Sequence, residues 1–425
     1  MCFLRRRVHT TRWRRSGRND LGAMTSTVYI AKNVYGGDGL GRLGDGRVVF
    51  VPGAFAGENV KAEIVEERRS FVKARLVEVV EASPFRTGTD PEPIPGMVYS
   101  NLSYAAELDA KEAQLKEALE RARLSPGGFS RIDCSQEPLN YRNKVVYHFA
   151  KQGGDWALGY RKEPDHEIVD ITSDPLARPE INAKLPEIRR HAITLLTQGA
   201  ESVRRDTERK GNITVRWTPR SGVQWWIGDA PKGLALKEVT CGRVFEVPAG
   251  GFYQVNPVAG ESLVKAVVDE YAKGVDVAPN ILDLYCGVGV FGLSCAHAAK
   301  TPDMRLVGVE SGREAIDFAK RNAAAQGAQG MFFAEEVGRN MKRIKIGSRS
   351  TVVVDPPRGG LEKRVPEWLA ASRAPRIMYV SCDPATLVRD LRAICRGYDL
   401  DSVRWVDMFP RTARFETLAI LRKRA

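Results

Sequence analysis

From Asn256 to the C-terminus, helical runs, short apolar strands and glycine turns alternate along the chain, and this alternation constrains the fold more than any other feature of the sequence. Strands are predicted at Asn280–Tyr285, Arg305–Val309, Met331–Ala334, Thr351–Val354 and Arg376–Val380. Their spacing is that of an open, mostly parallel sheet covered by helices. In such sheets ligands bind beyond the carboxyl ends of the strands, so the residues that follow each strand are the candidates for chemistry.

After the first of these strands the chain reads Asp283-Leu284-Tyr285-Cys286-Gly287-Val288-Gly289-Val290-Phe291-Gly292 and enters a helical run. Glycine there lets the backbone turn tightly and approach a ligand. The second strand leads into Glu310, where a carboxylate can accept hydrogen bonds from ribose hydroxyls. The spacing of Gly287, Gly289 and Gly292 fits a dinucleotide as well as S-adenosylmethionine, and the loop alone leaves both open, a nicotinamide oxidoreductase included. Asp283 and Tyr285-Cys286 ahead of the glycines resemble the first motif of S-adenosylmethionine-dependent methyltransferases. Glu335 or Glu336, after the third strand, could meet an adenine, although a solvated loop acid is the simpler reading.

The fourth strand runs into Asp355-Pro356-Pro357-Arg358-Gly359-Gly360, whose proline pair fixes the backbone and holds Asp355 at the mouth of a pocket. The fifth delivers Ser381-Cys382-Asp383-Pro384 at the equivalent height. Cys382 is thereby placed just past a strand, where a nucleophilic thiol with a depressed pKa is expected.

The 425 residues exceed one ordinary core, and the rest of the chain divides accordingly. Residues 1–25 form a basic tail, with seven arginines against Asp20 in residues 1–23, expected to be disordered. Short strands at Val28–Ala31, Val48–Val51, Asn59–Glu66 and Phe71–Val80, separated by glycine turns, predict a small barrel over 26–84. Lys61, Arg68, Arg69, Lys73 and Arg75 lie on or between its later strands, as either an RNA-facing surface or a solvated charged edge. Prolines 84, 91, 93 and 95 mark a linker. An amphipathic helix over Leu102–Ala122 opens a mixed α+β domain, 85–250, with strands at Lys144–Ala150, Ile213–Thr218 and Val223–Ile227. A helix over Leu185–Thr197 completes it, with Pro186 at its first position. A methyltransferase-type domain, 251–425, completes the chain. The net charge of +13 favours a polyanionic partner. Seven scattered cysteines without C-x-x-C spacing argue against a disulfide framework or a zinc site, and no apolar run is long enough for a membrane span. A cytoplasmic monomer is expected.

Asp355-Pro356-Pro357-Arg358-Gly359-Gly360, Val380-Ser381-Cys382-Asp383-Pro384, the run Asp407-Met408-Phe409-Pro410-Arg411-Thr412-Ala413-Arg414-Phe415-Glu416-Thr417 and, upstream, Phe252-Tyr253-Gln254-Val255-Asn256 together resemble the uracil-5 RNA methyltransferases. The resemblance runs from Thr25 to the C-terminus, and its first part is similar to the family's RNA-binding TRAM domain. It implies a Rossmann-like class I methyltransferase domain, S-adenosylmethionine as methyl donor, and RNA as partner, ribosomal RNA before transfer RNA. It further implies that Cys382 adds to carbon 6 of uracil, that Glu416 removes the carbon-5 proton, and that Gln254, Asp283, Tyr285, Gly287, Gly289, Glu310 and Asp355 serve the donor pocket. A base buried in folded RNA must leave its stack to reach such a site.

Two departures from the family pattern stand out. Many members hold an iron–sulfur cluster through cysteines just before the helix corresponding to Leu102–Ala122 and just before a Pro-Leu-Ala-like element. Here those regions read Pro93-Ile94-Pro95-Gly96-Met97-Val98-Tyr99-Ser100 and Thr172-Ser173-Asp174-Pro175-Leu176-Ala177, so no cluster and no metal are expected. The usual histidines of the late run are Arg411 and Arg414, which cannot act as neutral acid–base groups but can hold phosphate or polarise a carbonyl. Cytosine-5 enzymes resemble a different pattern, with a cysteine where Arg358 stands, and a catalytically silent RNA-binding protein is the remaining alternative.

Overall fold

The computed structural model describes residues 25–90, 92–162, 166–198, 211–299 and 304–424. The arginine-rich tail lies outside the described residues. The chain forms two compact units. The first ends at Ser83, and the turn Asn33–Asp38 groups instead with Pro84–Ala425.

In the first unit β1 (Thr25–Asn33), β2 (Gly39–Arg42), β3 (Val48–Val51), β4 (Asn59–Glu67) and β5 (Phe71–Glu81) close into a barrel in the order β1-β2-β3-β5-β4. Alternation explains it: Val28, Ile30, Val49, Val51, Val60, Ala62, Val72 and Ala74 point inward, each at most 2 % exposed. Strand β2 escapes a sequence reading because glycine fills two of its four positions. Both are needed, since a Cβ on Gly39 or Gly41 would lie 2.7 Å from Ala54 O or 2.5 Å from Tyr29 O. The buried Glu58 carboxylate accepts the backbone N–H groups of Phe55 and Ser83, tying the end of the unit to its middle. Lys61 pairs with Glu78, Arg68 and Lys73 with Glu66, and Arg75 with Glu63. These barrel cations are thus neutralised by the barrel's own glutamates, which favours the charged, solvated edge over a bare basic face.

The second unit opens with α1 (Tyr104–Arg121), whose N-terminus is capped by Ser103 Oγ, and β6 (Gly128–Arg131). An antiparallel sheet follows, made of β7 (Lys144–Gln152), β8 (Asp155–Lys162), β9 (Glu167–Asp170), β10 (Asn212–Thr218) and β11 (Gly222–Ile227) in the order β11-β10-β7-β8-β9. Against it packs α2 (Pro179–Gln198), so the helix expected to start at Pro186 begins seven residues earlier and carries that proline inside. Ile181, Leu185, Ile188 and Ala192 recur at helical spacing straight through Pro186 and bury against Val145, Tyr147, Leu158 and Val215. That burial outweighs the hydrogen bond that Pro186 cannot donate.

The segments 93–100 and 172–177 pack into one core. Ile94 and Met97 from the first join the same core as Leu176 and Ala177 from the second. Asp174, fully buried, accepts the hydroxyls of Tyr147 and Tyr160 at 3.0 and 2.6 Å and the N–H groups of Leu176 and Ala177 at 2.8 and 3.2 Å. A satisfied carboxylate therefore pins this junction.

After the ribbon β12 (Ala235–Thr240) and β13 (Arg243–Pro248), α3 (Pro257–Ala272) leads to the large sheet. Its elements are β14 (Asn280–Leu284), α4 (Val290–Ala299), β15 (Leu306–Glu310), α5 (Arg313–Ala325), β16 (Gly330–Ala334), α6 (Val337–Asn340), β17 (Ser350–Val354), α7 (Val365–Ala370), β18 (Arg376–Ser381), α8 (Pro384–Ile394), β19 (Tyr398–Val406) and β20 (Glu416–Lys423). The strand order is β16-β15-β14-β17-β18-β20-β19-β6. The five strands from β14 to β18 are parallel, β20 runs antiparallel to β18, and β6 adds in parallel to β19 from far upstream. Among the described residues no helix is long and apolar enough to cross a membrane.

The loop from Asp407 to Phe415 joins β19 to β20 and is held by side chains from three distant segments. Lys111 of α1, fully buried, donates to Glu107 Oε1 at 2.7 Å, to Asp407 Oδ1 at 2.8 Å and to Phe409 O at 3.3 Å. Gln136 donates to Asp407 O, Asn256 to Met408 O and the Tyr141 hydroxyl to Pro410 O. Glu107 in turn accepts the Arg411 N–H at 2.7 Å. Replacing Lys111 with Met leaves Glu107 and Asp407 without their shared cation, and denaturant unfolding should report a loss of about 3–5 kcal/mol.

Candidate active site

At the end of β14 the chain must turn sharply, and it does so through left-handed residues: Tyr285 at φ 63°, Gly287 at 54° and Gly289 at 88°. A bulky residue at positive φ is strained, and such strain persists where surrounding contacts fix it. Here Cys286 N–H bonds Val309 O, Gly289 N–H bonds Cys286 O, and the Tyr285 hydroxyl donates to Glu362. Beneath the loop, Asp283 Oδ2 accepts the Gly292 N–H at 2.8 Å and so anchors the start of α4. A Cβ on Gly292 would lie 2.8 Å from that same oxygen, which is why glycine stands there.

Above the ends of β14, β15, β17 and β18 lies a cavity of about 850 Å³. The loop residues Tyr285 and Gly287 line it together with Gln254, Glu310, Asp355, Cys382 and Glu416. A smaller chamber of about 60 Å³ opens beside it, sharing Gln254, Tyr285, Gly287 and Asp355 and otherwise walled by apolar groups such as Pro257, Val264 and Phe291. Asp283 and Gly289 line neither chamber. Asp283 works from below the loop, and a Cβ on Gly289 would meet Leu293 and Phe332.

Glu310 ends β15 with Oε1 bound to Ser311 Oγ and Gly312 N–H, a fixed carboxylate facing the cavity. Glu335 and Glu336 border it as well, while Glu336 stays exposed and pairs with Arg339, in keeping with a solvated loop acid. Burial raises the carboxyls of Asp283 and Asp355 to about 7, with nearby acids adding to the shift: Asp355 and Glu310 on Asp283, Glu310 on Asp355. Burial likewise pushes Glu416 well above the usual carboxylate range, Asp355 raises it further, and Arg358 partly opposes the shift.

Cys382 follows β18 immediately and precedes Asp383, which caps α8 by accepting the N–H groups of Ala385 and Thr386. The thiol is half-buried and faces the cavity, as its position after a strand predicts. Its acidity is not as predicted: burial, then the charges of Glu416 and Asp355, raise it to about 11, with Arg358 alone among the larger influences pulling it down. The helix start does not compensate: Glu416 and Asp355 arrive from other strands, and the capping Asp383 adds its own charge.

The structure also brings in groups that the strand-by-strand reading did not single out. Arg358 lies in the Asp-Pro-Pro-Arg motif itself and is the cation acting on both Cys382 and Glu416. Phe409 and Arg414 line the cavity from the β19–β20 loop, and Arg414 was named only as a replaced histidine. Glu362, bonded by Tyr285 across 77 positions, had no sequence signal at all.

A family model described as tRNA (Uracil-5-)-methyltransferase matches residues 242–424, and a TRAM domain model matches residues 25–77. An uncharacterized RNA methyltransferase of Halalkalibacterium halodurans is 30 % identical, over 93 % of this chain and 96 % of that protein. One of Thermosynechococcus vestitus is 29 % identical, over 91 % and 95 %. Among solved structures, the Pyrococcus abyssi tRNA (uracil-54, C5)-methyltransferase in complex with S-adenosyl-L-homocysteine has the same fold, with a TM-score of 0.70 at 22 % identity over 93 % of this chain and 99 % of that one. With a TRAM barrel ahead of a parallel sheet whose strand ends carry the uracil-5 motifs, the chain belongs to the uracil-5 RNA methyltransferase family.

Proposed function

We propose that this protein transfers a methyl group from S-adenosylmethionine to carbon 5 of a uridine in ribosomal RNA. The observation that carries the reading is the shared cavity: a thiol, Cys382, and a buried carboxyl, Glu416, face the same space as Glu310 and the glycine loop. The residues fit the donor. Glu310 presents a fixed carboxylate to ribose hydroxyls, Gly287 leaves open space where a side chain would stand, and Gln254 and Asp355 border both chambers. Asp283 and Gly289 serve the same pocket indirectly, by shaping the loop.

Carbon 5 of uracil is a poor nucleophile until something adds at carbon 6. The sulfur of Cys382 forms that bond, and the electron pair released toward carbon 5 makes it nucleophilic. S-adenosylmethionine, when bound, supplies the electrophilic methyl group. Glu416 then takes the proton from carbon 5, and the pair left behind expels the Cys382 sulfur, restoring the ring. For these roles Cys382 must first lose its proton and Glu416 must be ionised. In the free enzyme both are held protonated by burial and by their acidic neighbours. Arg358 is the cation placed to favour the charged form of each.

Ribosomal RNA is preferred because a TRAM-like N-terminal domain is typical of ribosomal members, an argument by analogy. Transfer RNA is the second reading, favoured by the description of the matching family model. Mapping 5-methyluridine in both RNA pools from cells with and without the gene decides between them.

Alkylation of Cys382 in the free enzyme should be slow at pH 7 and accelerate as pH rises toward about 11, where the thiol ionises. A rate already at its plateau by pH 8 contradicts the raised pKa. RNA containing 5-fluorouridine should trap the wild type as a covalent adduct, because fluorine cannot leave as a proton, and Cys382→Ala should form none. Glu416→Gln should bind S-adenosylmethionine normally and stall after methylation, lowering turnover roughly 100-fold or more. Unchanged turnover removes Glu416 from the role of base.

A further inference from the structure

The segment that carries Gln254 into the cavity is gripped by two cations of the antiparallel sheet. Lys144, the first residue of β7, stands directly opposite Arg216 of β10. Like charges so placed on neighbouring strands repel, and each needs compensation from elsewhere. Arg216, 1 % exposed, gives Nε and Nη2 to Glu238 Oε1 at 3.2 and 2.9 Å, and the Asn143 amide donates to the same carboxylate. Its Nη1 reaches Pro248 O, Ala249 O and Gly251 O at 3.5, 3.3 and 3.2 Å. Lys144 Nζ donates to Gly250 O at 3.4 Å and to Gly251 O at 3.1 Å. Four consecutive carbonyls are taken in this way, that of Gly251 by both cations.

Those carbonyls end where the cavity wall begins. Phe252 and Gln254 line both chambers, whereas Lys144 and Arg216 line neither. On the far side of the span the Asn143 N–H bonds Val255 O at 2.8 Å, so both flanks of Phe252–Gln254 are tied to the same end of the same sheet. Between them Tyr253 is buried, its hydroxyl 2.6 Å from Thr240 Oγ1. Helix α3 backs the glutamine from the other side: a Cβ on Gly260 would lie 2.8 Å from Gln254 Cβ, and glycine is what leaves the room. A three-residue span with both ends fixed and a helix behind it has little freedom, so the aim of its glutamine is set by groups outside the cavity. Arg216 is wholly buried, but Lys144 is only half-buried and can be exchanged without opening the core.

We propose that Lys144, braced by Arg216 and Glu238, is a positioning residue for Gln254: it holds the Gly250–Gly251 turn so that the glutamine amide is aimed into the space the two chambers share. The inference rests on the reading of the cavity as an RNA methylation site. The test is a double-mutant cycle of Lys144→Met and Gln254→Ala in the full chain, with total RNA from cells lacking the gene as substrate. Initial methylation rates at sub-saturating S-adenosylmethionine and RNA register any loss of transition-state stabilisation, whichever reactant Gln254 meets. Lys144→Met should slow the wild type roughly tenfold, the scale of a misaimed contact. In the Gln254→Ala background the same change should slow the reaction by less than about twofold, because the group it positions is already gone. Lys144→Arg should recover most of the rate, since a guanidinium can donate to both carbonyls. If the methionine variant does not fold, Lys144→Gln, whose shorter amide keeps the position polar, takes its place in the cycle. An equal factor in the two backgrounds is what lost stability or a lost contact with RNA would give, and it overturns the proposal. So does a wild-type rate that Lys144→Met leaves unchanged. A wild type that methylates none of this RNA overturns the reading of the cavity, and the role of Lys144 falls with it.

Discussion

Lys111 is the cation on which the active-site architecture depends. It lies wholly inside the protein, bound to Glu107 on its own helix and to Asp407 at the far end of the sequence. A buried charge is tolerable only when its partners are close and its remaining hydrogen bonds are met, and here the third proton goes to Phe409 O. Burial raises the Glu107 carboxyl to about 7, against the pull of Lys111. What this network fixes is the path of the backbone from Asp407 to Arg411, and through it the positions of Arg414 and Glu416 at the cavity. The same loop has its carbonyls taken by Gln136, Asn256 and Tyr141, so the carboxyl assigned to proton removal stands on a support that has little freedom to drift. Sites held this way place their groups to within tenths of an ångström, which proton transfer requires.

Around that support the cavity gathers acids with very few cations. Glu310, Asp355 and Glu416 line one space, and Asp283 lies just beneath it. Glu310 raises Asp283 and Asp355, Asp355 raises Asp283 and Glu416, and Glu416 and Asp355 together raise the Cys382 thiol. The free site is thus biased toward neutral, protonated groups. A cationic donor entering such a space meets favourable electrostatics without needing a formal ion pair, and its arrival changes the balance for every group present. Arg358 is the permanent counterweight at the reacting centre.

Much of this was legible in the sequence because it is written in contiguous residues. Asp283 to Gly292 encodes a strand, a turn and a helix start in ten positions, and the structure adds only that Asp283 and Gly289 shape the loop from outside the cavity. Cys382 could be placed at the cavity because it immediately follows a predicted strand, whereas Glu416 was named only through the family motif that contains it. The thiol's acidity was misjudged for a physical reason. Local sequence displays only the thiol's place just past a strand, while the larger charges, Glu416 and Asp355, come from other strands and appear only when the sheet assembles. Strand β2 was hidden by its glycines, and α2 was cut short because a local rule about proline ignored the apolar stripe of Ile181, Leu185, Ile188 and Ala192. No pattern in residues 128–131 announces that β6 will complete a sheet made from the other end of the chain.

That last pairing bears on how the protein comes to exist. During synthesis Lys111 emerges 296 residues ahead of Asp407. At ordinary elongation rates of about 5–20 residues per second, α1 and β6 wait roughly 15 to 60 seconds for β19 and the loop that completes their bonds. Throughout that interval a lysine destined for the interior, and a strand edge destined for pairing, are open to water and to other chains. The nascent protein is therefore most exposed to mispairing early on the ribosome, at a stretch that carries none of the motifs by which the enzyme is recognised.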